Sequence, residues 1–346
     1  MKPEHFLVIF VIFLSVFFVR VNGNVKTLVK VNDRTKEYNR NVDRACDDAM
    51  TNMLEYADDY STSLNLQSCQ EDFFKSLYAS FGVMDSPSGQ EELQHYIPIL
   101  LVTQNDGFYI LKHTLAPDKA KSVMQWTQKI PYTYTYTVTV RNGAQTGAYK
   151  VIVAYTMGDD VTIHYQGKSY TGAWDQLSSI YSFDSKFMNL YKVLSDTSLE
   201  CPILSNRNTF TSMRNSVLQY VITKKANYYI NKHNEIAKAF GINYHFAVPV
   251  SATDSFARTI SDVTLMAIFQ GYPLGKGTKE VYSRYSVSGA HLIKSTKYYV
   301  CKASDGYYYY HLADCEFVKR SAKITKYDSK QECASVGAYP CKYCNP

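Results

Sequence analysis

Tryptophan is nearly missing from this chain: Trp126 and Trp174 are the only two in 346 residues, against 31 tyrosines. That contrast points to a large area of half-buried sheet surface. With 16 glycines and 10 prolines, no internal repeat or low-complexity tract is present. Charged residues amount to 20% beside 46% hydrophobic ones, a balance that excludes general disorder and allows a buried core. The length calls for two or three units. The net charge of +6 is modest, and half of it falls in residues 297–346, which hold eight Lys/Arg against five Asp/Glu.

Signatures of catalysis are missing too. No G-x-S-x-G elbow, H-E-x-x-H helix or G-x-x-x-x-G-K-[ST] loop occurs. Gly275-Lys-Gly277-Thr278 is not framed by a strand and a helix, and reads as a solvated loop. The eight histidines show no productive spacing: His233-Asn-Glu-Ile-Ala lacks a second histidine, while His164 and His245 read as satisfied core or surface residues. Asp159 and Asp160 fit a hairpin turn, and Cys69 and Cys201 carry no cue for activation. There is no N-x-[ST] acceptor.

Only one apolar run is long. Residues 6–19 are fourteen apolar or small residues ending at Arg20, about 21 Å as a helix. Such a run reads as a membrane element using residues 6–21, or as an export signal cleaved near Gly23, where Val21-Asn22-Gly23 offers small residues. The expected location is the cell membrane, single-pass with an extracytoplasmic C-terminal domain, or else secretion. Lys26, Lys30, Arg34, Lys36, Arg40 and Arg44 after the run, with only Lys2 before it, argue for the opposite orientation.

Helical periodicity follows over residues 25–60, with Val42, Ala45, Cys46, Ala49, Met53, Tyr56 and Tyr60 on one face. The other face carries Arg40, Arg44, Asp47, Asp48, Glu55 and Asp59. A second helix is expected at 70–81, then a linker at Ser86-Pro-Ser-Gly89. An apolar start running into an amphipathic helix is the layout of pilins, although the prepilin cleavage signature is absent.

From Ile97 the period changes to two. Asn105-Asp106-Gly107 is a hairpin turn, and Tyr132 to Val140 alternates Tyr or Val with Thr, as a sheet with one covered face requires. Asn142-Gly143 and Gly158-Asp-Asp supply further turns in a meander of about five strands. Helices are expected at 173–194, 211–240 and 256–269, and a strand at 243–250.

The tail holds the most definite spacing: His311-x3-Cys315 and, after a basic segment, Pro340-Cys341-x2-Cys344. A C-x2-C pair after a proline turn can aim two sulfurs at one point, and a His and Cys four apart can complete a tetrahedron. Thiolates with one imidazole suit Zn2+, and four protein ligands leave no open position, so the zinc would be structural. The alternative is a disulfide framework among Cys301, Cys315, Cys333, Cys341 and Cys344, which leaves one cysteine over. Cys46, Cys69, Cys201, Cys301 and Cys333 carry no assigned role. Together with Tyr327 to Tyr339, these tail motifs resemble the Ada-type metal-binding module, in the His-containing version found at the ends of some secreted bacterial nucleases. The resemblance covers residues 297–346 and implies His311, Cys315, Cys341 and Cys344 as zinc ligands. It does not imply methyl-transfer repair, because the first ligand is His311 where the repair protein has cysteine.

The chain thus reads as α+β, in four parts. Residues 1–23 are a signal or anchor, 24–85 a helical stalk, 86–296 a central antiparallel sheet with packed helices, and 297–346 a zinc mini-domain. The leading functional reading is a non-enzymatic, membrane-anchored or exported bacterial surface protein within a pilus-like or secretion assembly. One competitor is an exported nucleic-acid-binding protein that uses Lys319, Arg320, Lys323 and Lys326 beside Tyr307 to Tyr310. The other is an enzyme whose central site is assembled from distant residues.

Overall fold

The computed structural model describes residues 3–56, 62–117, 121–142, 145–165, 167–175, 177, 201–248, 263–275, 280–290, 298–312, 315–321, 323–327 and 330–344. Two compact units emerge, Met1–Ala290 and His291–Pro346. The architecture is α+β, as expected.

In the first unit, helix α1 (Pro3–Met53) is unbroken. Phe13, Phe17, Phe18 and Leu28 on its N-terminal half are exposed, whereas Val42, Ala45, Cys46, Ala49 and Met53 are buried. Beyond a short ribbon of β1 (Leu54–Tyr56) and β2 (Thr62–Leu64), helix α2 (Leu66–Phe81) packs along α1. Asn65 caps α2 by accepting from the Ser68 amide at 2.9 Å, and Gly82 ends it in the left-handed region at φ 68°.

The membrane anchor is not borne out. Among the described residues no helix is long and apolar enough to cross a membrane, and the single-pass placement falls with it. The physical reason is length: α1 passes directly from its apolar run through Arg20 to Lys26, Lys30, Asp33 and Arg34. Charge therefore arrives before a hydrocarbon core of about 30 Å could be filled.

Ser86-Pro-Ser-Gly89 opens a helix where a linker was expected. Ser86 accepts from the Gly89 amide at 3.2 Å and Pro87 takes the first position of α3 (Pro87–His95), a standard helix start. The expected single meander is instead two sheets. One is five-stranded, with β3 (Ile99–Gln104), β4 (Gly107–Leu115), β5 (Ser122–Trp126), β10 (Val263–Pro273) and β11 (Val281–Ala290) in the order β11-β10-β3-β4-β5. The other is the meander β6 (Tyr132–Asn142), β7 (Gln145–Tyr155), β8 (Asp160–Tyr165) and β9 (Lys168–Ala173). Helix α4 (Arg207–Ala239) contacts β3 and β4 of the first sheet and β6 and β7 of the second.

The meander keeps its alternation: Tyr132, Tyr136 and Val138 are buried while Thr135 and Thr137 are exposed, and Val151, Val153, Val161 and Ile163 continue the covered face. Tyr134 departs from the pattern, half out of the core against Tyr136 and Tyr220. The β3 and β10 strands are buried at consecutive positions, which marks strands covered on both faces.

That double burial corrects the helix expected at 256–269: Val263 onward is strand β10, while 256–262 lie outside the described residues. An unbroken apolar run does not separate a buried strand from a buried helix. The strand expected at 243–250 is not formed over 243–248, and 249–250 lie outside the described residues. Side chains hold this segment: Asn234 brackets Phe246, accepting from its amide at 2.8 Å and donating to its carbonyl at 3.0 Å. Gln270 does the same for Ala247, at 3.1 and 2.9 Å. Of the helix expected at 173–194, Ala173 ends β9 and Trp174 lies in a turn, whereas 178–194 lie outside the described residues.

Candidate metal centre

The second unit is built on a sheet of β12 (Tyr298–Lys302), β13 (Tyr308–His311), β14 (Thr325–Tyr327) and β15 (Tyr339–Pro340), ordered β14-β12-β13-β15. It also has two short helices, α5 (Glu316–Arg320) and α6 (Lys330–Ser335). Asp305 shapes the β12–β13 turn, accepting from the Tyr307 amide at 3.0 Å and the Tyr309 hydroxyl at 2.9 Å. On one side of the sheet Val300, Tyr310, Cys333 and Ala338 form a small core. On the other, Cys315, Val318 and Cys341 pack with Tyr299 and Cys344.

The sheet register delivers two of the ligand positions. Parallel pairing of Tyr309 with Tyr339 and Tyr310 with Pro340 brings the end of β15 beside the end of β13, and the Cys341 amide then donates to the Tyr310 carbonyl at 3.1 Å. Cys341 and His311 are thereby neighbours across a strand pair. Cys315 comes from the N-terminal cap position of α5, where its side chain makes no capping bond and is free to point elsewhere. Cys344 follows from the turn after Cys341, in which the Tyr343 amide lies 3.5 Å from the Cys341 sulfur.

The ligand atoms of His311, Cys315, Cys341 and Cys344 all lie within 4.8 Å of one another, and the first three residues are buried. His311 Nδ1 is 3.3 Å from Cys315 Sγ and 4.0 Å from Cys344 Sγ. Tetrahedral zinc with Zn–S near 2.3 Å and Zn–N near 2.05 Å needs N···S edges of about 3.5 Å and S···S edges of about 3.8 Å. The observed distances straddle that value. The cluster could hold a metal ion, and its donor set is compatible with zinc.

Protonation is biased toward metal binding at two ligands. Burial alone would raise the Cys341 thiol, but the amides of Cys344 and Tyr343 and the neighbouring thiols hold it below the usual range. Burial holds the His311 imidazole below its usual value, leaving it neutral. Cys344 is held up, first by burial and further by its neighbours Cys315 and Cys341, so a cation would have to displace its proton.

All eight cysteines are free thiols. Cys333 is fully buried in the small core, where burial raises its thiol, and Cys301 is buried within β12; neither joins the cluster. Burial pushes the Cys69 and Cys201 thiols up to about 12, and that of Cys46 further up.

The basic residues are spread along one stretch. Lys319 and Arg320 are exposed on α5, Arg320 pairing with Glu316 at 3.1 Å, while Lys323 and Lys326 are exposed before and on β14. Lys326 lies 5.6 Å from the Tyr299 ring. In the first unit His164 bonds Ser169 and His245 is exposed, whereas His233 is buried with His95 and His113, a grouping that no sequence spacing signals. The chain matches no family model, no curated protein and no solved structure, so no match supports the Ada-type resemblance; what the structure shows of it is the convergence of His311, Cys315, Cys341 and Cys344.

Proposed function

We propose that the C-terminal unit binds one zinc ion through His311, Cys315, Cys341 and Cys344, and that the ion is structural. The observation that carries this is the convergence of one imidazole nitrogen and three sulfurs within 4.8 Å. Four protein ligands complete a tetrahedron, so no position remains for a reacting water. The unit's two small apolar clusters are slight, and a metal would supply much of its folding free energy. On this reading the protein is a non-enzymatic binding component whose zinc fixes the shape of a recognition module. The pilus-like assembly suggested by the helical layout gains no support beyond the helix itself.

A second reading, contact with nucleic acid, is favoured by cations placed beside rings at the tail's surface: Lys302 by Tyr308, Lys326 by Tyr299 and Lys342 by Tyr343. Such binding would weaken steeply with salt.

The test is metal content with a free-thiol count on protein purified without chelator or reductant. One zinc per chain, lost on Cys341→Ser, is the expected result. No metal, with the tail thiols oxidised in pairs, would overturn the zinc reading.

A further inference from the structure

Three imidazoles meet in the interior of the first unit, from three different elements. His95 is the last residue of α3, His113 lies in β4 and His233 in α4, and they are 4%, 5% and 1% exposed. Their ring centroids are 4.3 Å apart for His113 and His233, 5.6 Å for His95 and His113, and 6.4 Å for His95 and His233. Phe240 stacks on His95 at 4.6 Å and Phe246 meets His233 edge-on at 4.8 Å, completing an aromatic enclosure.

The hydrogen bonds fix which nitrogens carry protons. His233 Nε2 lies 2.7 Å from the His95 carbonyl, and His113 Nε2 lies 3.0 Å from that of Ile97. A carbonyl only accepts, so both rings are Nε2–H tautomers. His113 Nδ1 then accepts from the Ser122 hydroxyl at 3.0 Å. Among the described residues, His233 Nδ1 and both nitrogens of His95 have no partner.

On His233 an added Nδ1–H would point at nothing, and on His95 both positions are bare. Only His113 has a group to meet, the Ser122 hydroxyl, which would have to turn from donor to acceptor. A second or third charge would also sit within a few ångströms of the first. The charged groups felt at the cluster are the three rings themselves and Glu91, one turn before His95 on α3; Glu91 favours protonation of His95, as the backbone carbonyls bonded to His113 and His233 do for those rings, and β5 contributes the Ser122 hydroxyl.

We propose that His95, His113 and His233 form an acid-sensitive latch: protonation there releases the hold of α3 and α4 on the five-stranded sheet. The direction follows from linkage. Burial first, and mutual repulsion with it, holds His113 down to about 4 and His233 to about 3, and burial lowers His95 as well. In an opened form each returns to about 6.5. The contribution is complete above about pH 6.5 and is lost as pH falls toward 4 and then 3, because the open form binds the protons.

Hydrogen exchange on the full chain at pH 7.5 and 5.0, corrected for intrinsic rates, tests this. Peptides from α3, β4 and α4 are expected to open roughly thirtyfold more for each histidine that takes up its proton, while those from α1 and α2 keep their protection. Replacing both His113 and His233 by Gln, which can still donate to the two carbonyls, should flatten the response. The histidine ring signals of the wild type provide a second measurement that needs no variant: those of His113 and His233 should stay neutral down to pH 5, and that of His95 should titrate below its usual value. Equal protection in α4 at both pH values, an undiminished response in a folded double variant, or all eight histidines titrating near 6.5 would overturn the latch.

Discussion

The Asp43 carboxylate on α1 accepts from the Ser286 hydroxyl on β11 at 2.6 Å, joining residues 243 apart in sequence. It is one rung of a ladder: Asn39 accepts from Tyr282 at 2.9 Å and Asp47 from Ser288 at 2.7 Å. The spacing of four along α1 puts the acceptors in a row, and the spacing of two or four along β11 keeps the donors on one face. Part of the helix's polar face is thus used to fix the register of a strand.

Removing a rung should have a modest, local cost. Ser286→Ala is expected to lower unfolding free energy by about 1 kcal/mol, since the Asp43 carboxylate is partly exposed and regains water. Tyr282→Phe should cost a similar amount. A double-mutant cycle on Asp43 and Ser286 in urea would show coupling of about 1 kcal/mol; zero coupling would mean that the contact does not hold the strand.

Cysteine substitutions should sort by cluster membership. Cys344→Ser and His311→Ala each remove a ligand and should release the metal and unfold the tail while the first unit keeps its own transition. Cys301→Ser lies outside the cluster and should retain one metal per chain. Release of metal by Cys301→Ser, or retention by both ligand variants at full affinity, would show that a different set of residues binds it.

The metal cluster was legible in sequence because C-x2-C and H-x3-C are local spacings, each set by one turn or one strand end. Strands β6 to β8 were legible for a similar reason, their turns and Tyr/Thr alternation lying within a few residues of one another, but nothing local separates them from β3 and β4, which belong to the other sheet. The strand at Val263 was not, since its apolar run fits a buried helix equally well and its pairing with β3 spans some 160 residues. Nor was the histidine latch, whose members at 95, 113 and 233 meet only after the sheet and α4 have packed. The apolar start of α1 misled because its fourteen residues are apolar enough for a membrane but too few, with Arg20, Lys26 and Lys30 following on the same helix.

The paired amides at Asn234 and Gln270 hold backbone where a strand partner was expected. Asn234→Ala leaves the buried Phe246 amide and carbonyl without partners, at an expected cost of about 2 kcal/mol. Gln270→Leu removes both bonds to Ala247, which is exposed and regains water, and puts a branched apolar side chain in a buried amide's place, so its cost should be the smaller of the two. Thermal melts should fall in both. A loss below about 0.5 kcal/mol in each would mean that water replaces the side chains freely.

Gly271 marks the point where β10 bulges against β11, the register shifting between Gln270 and Tyr272. Its φ of +81° lies in the left-handed region, and a Cβ there would sit 2.6 Å from the Tyr244 ring. Gly271→Ala therefore meets two separate penalties, backbone strain of about 1 kcal/mol and a clash with a ring that must move. Together they should cost about 3 kcal/mol. The two can be separated, because Tyr244→Ala removes the ring but leaves φ unchanged. In that background the added Gly271→Ala should cost only about 1 kcal/mol. An unchanged penalty would place the whole effect in the backbone and show that the ring is free to swing away.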